Sequence, residues 1–267
     1  MIRVIVPGAT GKMGSAITRL VCLERDMELA GVTEREKHPC LGADIGPLIG
    51  LEEKGVVLSD DLSAIIDRAD VLIDFTTPEA SISHLKLALQ AGKAMVIGTT
   101  GFGSYHLQQL KEVSKTIPVV SAPNMAVGVN LLLKLVKTAA AVLGEYYDCE
   151  IIEAHHHHKH DAPSGTALRL AKIVAEILGR DLEKVGTYGR KGMIGPRPRE
   201  EIGISVIRGG DVVGEHTVLF LGEGERLELT HQASSREIFA RGALRAARFV
   251  SQAFPGLYDM GDVLGFK

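Results

Sequence analysis

The sequence predicts an α/β protein, with an N-terminal doubly wound parallel sheet and a smaller C-terminal α+β domain. Three observations predict it. Gly8, Gly11 and Gly14 stand between a β-branched run and an amphipathic stretch. Short apolar runs then alternate with helical patterns through residues 2–130. Beyond Val129 that rhythm gives way to a mixture of helices and strand-like runs.

Taken in order, residues 2–6 (IRVIV) form a short β-branched run suited to a buried parallel strand. GATGKMG leads into a helical pattern carried by Ile17, Leu20, Val21 and Leu23. MELAGVTE (27–34) reads as a second strand, and the Gly- and Pro-rich residues 36–55 as a long loop. VLIDF (71–75) is a strand, and residues 78–93 a helix opened by Pro78 and closed by Gly92. AMVIGTTGF (94–102) repeats the strand-then-glycine form, and a polar helix over 104–115 leads to PVVSAPNMAVGVN (118–130). A strong helix is expected over 131–144, a strand over EIIEAHHHH, a helix over 163–179, and strands within 204–231 at ISVIRG, HTVLFLG and RLELTH. Residues 235–253 form an amphipathic helix placed as returning to the first domain. The expected boundaries are 1–126 plus 235–267 for the first domain and 127–234 for the second.

Composition removes several functions. With 30 Lys and Arg against 33 Asp and Glu, there is no basic field for nucleic acid and no polybasic patch for a membrane. The N-terminus enters a strand at once, without the charged and apolar regions of a signal peptide. No uninterrupted apolar run reaches the length that spans a bilayer. Cys22, Cys40 and Cys149 are odd in number and far apart, which encodes no disulfide framework. A reducing cytoplasm is the expected setting.

The glycine triplet has a mechanism. Glycine permits a tight turn and close backbone approach, and the N–H groups at the following helix start then face a pyrophosphate, as in Rossmann-type sheets. Glu34 lies 20 residues after Gly14 at the end of the second strand, where an acid accepts hydrogen bonds from the adenosine ribose. Arg35 beside it suits a 2′-phosphate, so the pair predicts tolerance of both NADH and NADPH. The turns GTTG (98–101) and APNM (122–125) sit where an open α/β sheet binds its ligand.

Five histidines crowd positions 155–160, broken only by Lys159. The run lies mid-chain, unlike an expression tag. Adjacent histidines on a strand face opposite ways and Lys159 repels a cation, so no metal is expected. His157, His158 and His160 read as solvated. Behind them Asp161 and Ser164 are expected to cap a helix begun by Pro163, with the N–H groups of Gly165 and Thr166 aimed outward for an anion. A lysine and histidines beside such a helix end can hold an acidic substrate and deliver protons to it.

The motifs VPGATGKMG, DFTTPEA, GTTGF, APNMAVGVN, EAHHHHKHDAPSGTA, IRGGDVVGEHTV and ERLELTHQASSR run the length of the chain, which resembles the 4-hydroxy-tetrahydrodipicolinate (dihydrodipicolinate) reductase family. The resemblance implies NADH- or NADPH-dependent reduction of 4-hydroxy-tetrahydrodipicolinate in the diaminopimelate route to lysine, by a cytoplasmic homotetramer that requires no metal. It implies His155 as proton donor or acceptor and Lys159 as proton donor. His156, Gly165 and Thr166 would bind a dicarboxylate substrate. Gly8, Ala9, Thr10, Gly11, Lys12, Met13, Glu34, Arg35, Gly98, Thr99, Thr100, Ala122, Pro123, Asn124 and Met125 would line the cofactor, with hinges near 126–130 and 233–236. Arg236 stands as a supporting candidate outside the catalytic set. The rival readings are another two-domain dehydrogenase acting on an amino acid or aldehyde, a non-catalytic NAD(P) sensor, and a histidine-metal hydrolase.

Overall fold

A computed structural model describes residues 1–266. It divides into two compact units, Met1–Val127 with the stretch from Glu237 onward, and Gly128–Arg236. The first begins with β1 (Ile2–Pro7), α1 (Lys12–Leu23) and β2 (Met27–Thr33). A short α2 (Ile45–Leu48) interrupts the stretch expected to be loop, because the Asp44 carboxylate caps it by accepting the Gly46 N–H. Then come β3 (Leu58–Ser59), β4 (Val71–Asp74), α3 (Pro78–Ala91), β5 (Ala94–Ile97), α4 (Ser104–Val113) and β6 (Pro118–Ser121). Thr77 caps α3 ahead of Pro78, and Gly92 ends it in the left-handed region at φ 63°.

The second unit holds α5 (Val127–Leu143) from its second residue on, then β7 (Asp148–His155), α6 (Gly165–Ile177), α7 (Leu182–Val185), β8 (Gly186–Thr187), β9 (Ile202–Arg208), β10 (Gly214–Leu221) and β11 (Arg226–Ala233). Its sheet runs β11-β10-β7-β9-β8, with β7 antiparallel to β10 and parallel to β9. Cys149 and Ile151 of β7, Val218 and Phe220 of β10, and Leu170 and Val174 of α6 bury one shared core. α5 gives that core Leu132, Val136 and Ala140 and leaves Leu131, Leu135 and Val142 exposed. With its short extension, the segment Val127–Tyr146 is long and apolar enough by composition to cross a bilayer, although Lys134 and Lys137 interrupt it.

The chain then returns to the first unit with α8 (Glu237–Val250), β12 (Gly256–Tyr258) and α9 (Met260–Val263). The first sheet reads β12-β6-β5-β4-β1-β2-β3, parallel throughout. Beyond its extra edge strand this is the Rossmann order, whose direction reverses between β1 and β4. α8 packs on α1 and against β4 and β5, burying Ala240, Ala243, Leu244 and Val250. A parallel sheet flanked by helices and a second unit built on a mixed sheet are the expected fold class.

Candidate active site

In the first unit the glycine turn is dictated by close packing. Gly8 sits at φ +68°, and a Cβ there would come within 2.8 Å of the Thr76 methyl. A Cβ on Gly14 would lie 1.9 Å from the carbonyl oxygen of Gly8, which also accepts the Gly11 N–H. Only glycine lets α1 start this close to the end of β1, and a helix start of this kind presents its first N–H groups to an anion. Gly98 has a different reason, since its Cβ would enter the Phe75 ring at 2.2 Å.

Glu34 is held by two donors. Thr10 Oγ1 donates to Oε1 at 3.0 Å and the Arg35 N–H donates to Oε2 at 3.0 Å. His38 joins this group, with Nε2 3.3 Å from Thr10 Oγ1 while Nδ1 accepts the Cys40 N–H. Since the Thr10 hydroxyl proton goes to Glu34, the network assigns the proton of His38 to Nε2. Arg35 and Lys12 are exposed.

Beneath the later turns lies a polar group that the sequence reading missed. The Asp74 carboxylate, 0% exposed, accepts the Thr76 N–H and hydroxyl, the Ser81 hydroxyl and the His84 Nδ1–H. Ser81 Oγ lies 2.7 Å from Thr99 Oγ1, so Thr99 is a buried part of this network. Thr99, Thr100, Phe102, Pro123 and Tyr258 line a cavity of about 470 Å³. Ala9 and Met125 point into the core, so a ligand meets them only through backbone.

In the second unit β7 ends at His155, and the histidines that follow lie in a turn instead of continuing the strand. His157, His158 and His160 are exposed, and His157 Nδ1 lies 3.0 Å from the Gly210 carbonyl. His155 Nδ1 bonds Glu153 Oε2 at 2.5 Å. Arg208 grips the same carboxylate with both terminal nitrogens, at 2.8 and 2.9 Å. Burial pushes the Glu153 carboxyl upward, but Arg208, His155 and the Ser164 N–H outweigh it and hold it below the usual range. Lys159 Nζ pairs with Asp161 Oδ1 at 2.8 Å.

That pairing changes the expected cap. Ser164 alone caps α6, accepting the Ala167 N–H, while Asp161 is spent on Lys159. Pro163 precedes the cap, after a cis Ala162–Pro163 bond, instead of opening the helix. Gly165 and Thr166 occupy the first two helical positions, where N–H groups point out of the helix end. A Cβ on Gly165 would meet nothing within 4 Å. His156 keeps a buried Nδ1 with no hydrogen-bond partner among the described residues, and burial followed by the nearby Arg236 charge lowers its pKa. Among the described residues no three His, Cys, Asp or Glu side chains cluster as a metal site.

His216, directly across from Glu153 on β10, sits edge-on to His155 and bonds Ser164 Oγ at 3.1 Å. Burial lowers its pKa to about 4, helped by the charges of His155, His231 and Lys159 and opposed by Glu153. Between pH 6.5 and about 4 the unfolded chain therefore binds a proton that the folded chain refuses, and stability is lost as the pH drops through that window. The full effect is about 3 kcal/mol. Denaturant unfolding at pH 7 and pH 4.5 should show a smaller acid loss in His216→Gln than in the parent. Equal losses would show that His216 does not carry it.

The family model described as "Dihydrodipicolinate reductase, N-terminus" matches residues 2–125, and that described as "Dihydrodipicolinate reductase, C-terminus" matches residues 128–264. The chain belongs to the dihydrodipicolinate reductase family. It is 52% identical to the 4-hydroxy-tetrahydrodipicolinate reductase of Syntrophus aciditrophicus (strain SB) over 267 residues, all of both chains. It is 51% identical to the one from Anaeromyxobacter dehalogenans (strain 2CP-C), covering 100% of this chain and 99% of that one. The solved structure of a dipicolinate-bound dihydrodipicolinate reductase from Paenisporosarcina sp. TG-14 superposes with a TM-score of 0.78 at 31% identity, covering 97% of each chain. Family membership accounts for both the glycine turn and the histidine-lysine block in one protein, which the sensor and hydrolase readings do not.

Proposed function

We propose that this chain catalyses the NAD(P)H-dependent reduction of 4-hydroxy-tetrahydrodipicolinate, by way of dihydrodipicolinate, to tetrahydrodipicolinate in the diaminopimelate route to lysine. The observation that carries the site assignment is a shared anchor. One Glu153 oxygen takes the Ser164 N–H at the start of α6 and the other bonds His155, so an imidazole and an anion-binding helix end are fixed to the same carboxylate.

On this reading Gly165, Thr166 and His156 bind a carboxylate of the dianionic substrate, as a helix N-terminus favours. When bound, the reduced nicotinamide supplies the hydride. The enamine this leaves has carbanion character at the carbon next to the hydride acceptor, and that carbon takes a proton. Lys159 donates it, with Asp161 holding the ammonium in place beforehand. His155 carries a proton to or from the same ring system. Backbone from Gly8 through Met13 holds the pyrophosphate, with Gly11 and Lys12 exposed at the helix start. Glu34 takes the ribose hydroxyls and Arg35 a 2′-phosphate. Gly98 to Thr100 and Ala122 to Met125 border the nicotinamide side, Met125 by backbone. Residues 1–126 with 235–267 are the nucleotide domain, and 127–234 the substrate and assembly domain. A cytoplasmic homotetramer completes the proposal. Its support is the three free cysteines and the apolar side chains that the second unit leaves exposed, Ile152, Val206 and Leu227 among them.

The test is turnover of freshly generated substrate with each nucleotide in parallel. The parent is expected to oxidise either nucleotide only when substrate is present. Glu34→Ala should raise KM for NADH about tenfold, as loss of hydrogen bonds worth ~1.4 kcal/mol would. Arg35→Ala should raise KM for NADPH more than for NADH. Nucleotide binding without turnover would overturn the enzyme reading, and unchanged constants in both variants would overturn the ribose assignment.

A further inference from the structure

Glu153 is fully buried, yet no role in the chemistry has been given to it. Its surroundings leave little choice about protons. Arg208 supplies two N–H donors and Ser164 a backbone N–H, none of which can accept. Glu153 therefore lies there as a carboxylate, with no proton to give. The hydrogen of the 2.5 Å bond to His155 must belong to the imidazole, on Nδ1.

We infer that Glu153 is a positioning residue that fixes the tautomer of His155 and makes Nε2 the nitrogen through which His155 passes its proton. The inference rests on the reading of His155 as a proton carrier. The neutral ring then presents a bare Nε2 lone pair as base, and the charged ring presents Nε2–H as acid, while Nδ1–H stays engaged in both. A Cβ at Gly214 would lie 3.0 Å from Nε2, so the glycine keeps that nitrogen clear of a side chain. His216 does not share the carboxylate: its Nε2 is bonded to Ser164 Oγ, and its Nδ1 has no hydrogen-bond partner among the described residues. The choice of His155 over His156 follows from strand geometry: residues two apart share a face, so Glu153 reaches His155 and not its neighbour. The charges around the pair come from β9 (Arg208) and the turn after β7 (Lys159), with neutral His216 on β10.

Side-chain nitrogen–carbon correlation NMR on the parent enzyme, with His155 assigned by its loss in His155→Gln, reads the tautomer directly. The neutral ring is expected in the Nδ1–H form, and a dominant Nε2–H form would overturn the inference whatever the variants do. Glu153→Gln should lower kcat about 100-fold, with KM for NADH unchanged and the neutral ring of His155 shifted toward the Nε2–H form, since wrong-tautomer variants of orienting carboxylates lose at least this much. Full turnover in His155→Gln would remove the parent reading and leave the tautomer result standing. Loss of turnover in His155→Gln with parental kcat in Glu153→Gln would overturn the role of Glu153 alone.

Discussion

Lys159→Ala is expected to lower kcat about 10²–10⁴-fold, the range that a positioned general acid contributes. The side chain is mostly covered, 21% exposed, and among the described residues it pairs with Asp161, itself 60% exposed. Such a pair contributes little stability, so removing the lysine should leave folding intact. It leaves Asp161 without its cation beside the helix end proposed to receive the substrate carboxylates. KM for the substrate should therefore rise together with the fall in kcat, through loss of an attracting charge and gain of a repelling one. NADH affinity, measured by fluorescence titration, should stay at the parental value, because Lys159 has no part in the proposed nucleotide contacts. Unchanged turnover would remove Lys159 from the chemistry.

Gly14→Ala is expected to disable the nucleotide half altogether. The added methyl would sit 1.9 Å from a backbone oxygen and 2.7 Å from its carbon, atoms no rotamer change can move aside. Relief requires α1 to shift away from β1, at a cost of about 3 kcal/mol or more from overpacking. Both consequences can be measured: a drop in the denaturation midpoint, and loss of NADH binding as the helix start leaves the pyrophosphate. Gly165→Ala is the contrast, since open space surrounds that position and the midpoint should hold. Parental stability and affinity in Gly14→Ala would show that the turn relaxes freely.

The first unit was largely legible because its signals are local. Each strand, its glycine turn and the next helix are contiguous in sequence, and Glu34 declares itself by spacing alone. β12 and α9 were not legible, being three and four residues long with no periodicity to show. α5 starts at Val127, four positions before the expected 131, and Gly128 explains the misreading. That glycine marks no loop; a Cβ there would lie 2.6 Å from the His231 ring, so it is a contact inside the second unit. The candidate site divides in the same way. Lys159, Gly165 and Thr166 stand in one legible block with His155. Arg208 and His216 come from strands that only sheet register brings beside β7, in pairings His155–Arg208 and Glu153–His216. The Asp74 group is hidden likewise, gathered from β4, α3 and the turn after β5.

The returning helix α8 has a consequence for biosynthesis of the chain. Ala240, Ala243, Leu244, Ala246, Ala247 and Val250 are all fully or almost fully buried in the first unit's core, and Gly242 meets the Met125 carbonyl so closely that a Cβ would lie 1.8 Å from it. A nascent chain emerging from the ribosome thus exposes the apolar seat on α1, β4 and β5 until residues 237–250 have been made. The half translated first is the half completed last, and during that interval it depends on chaperones or on speed to avoid sticking to its neighbours.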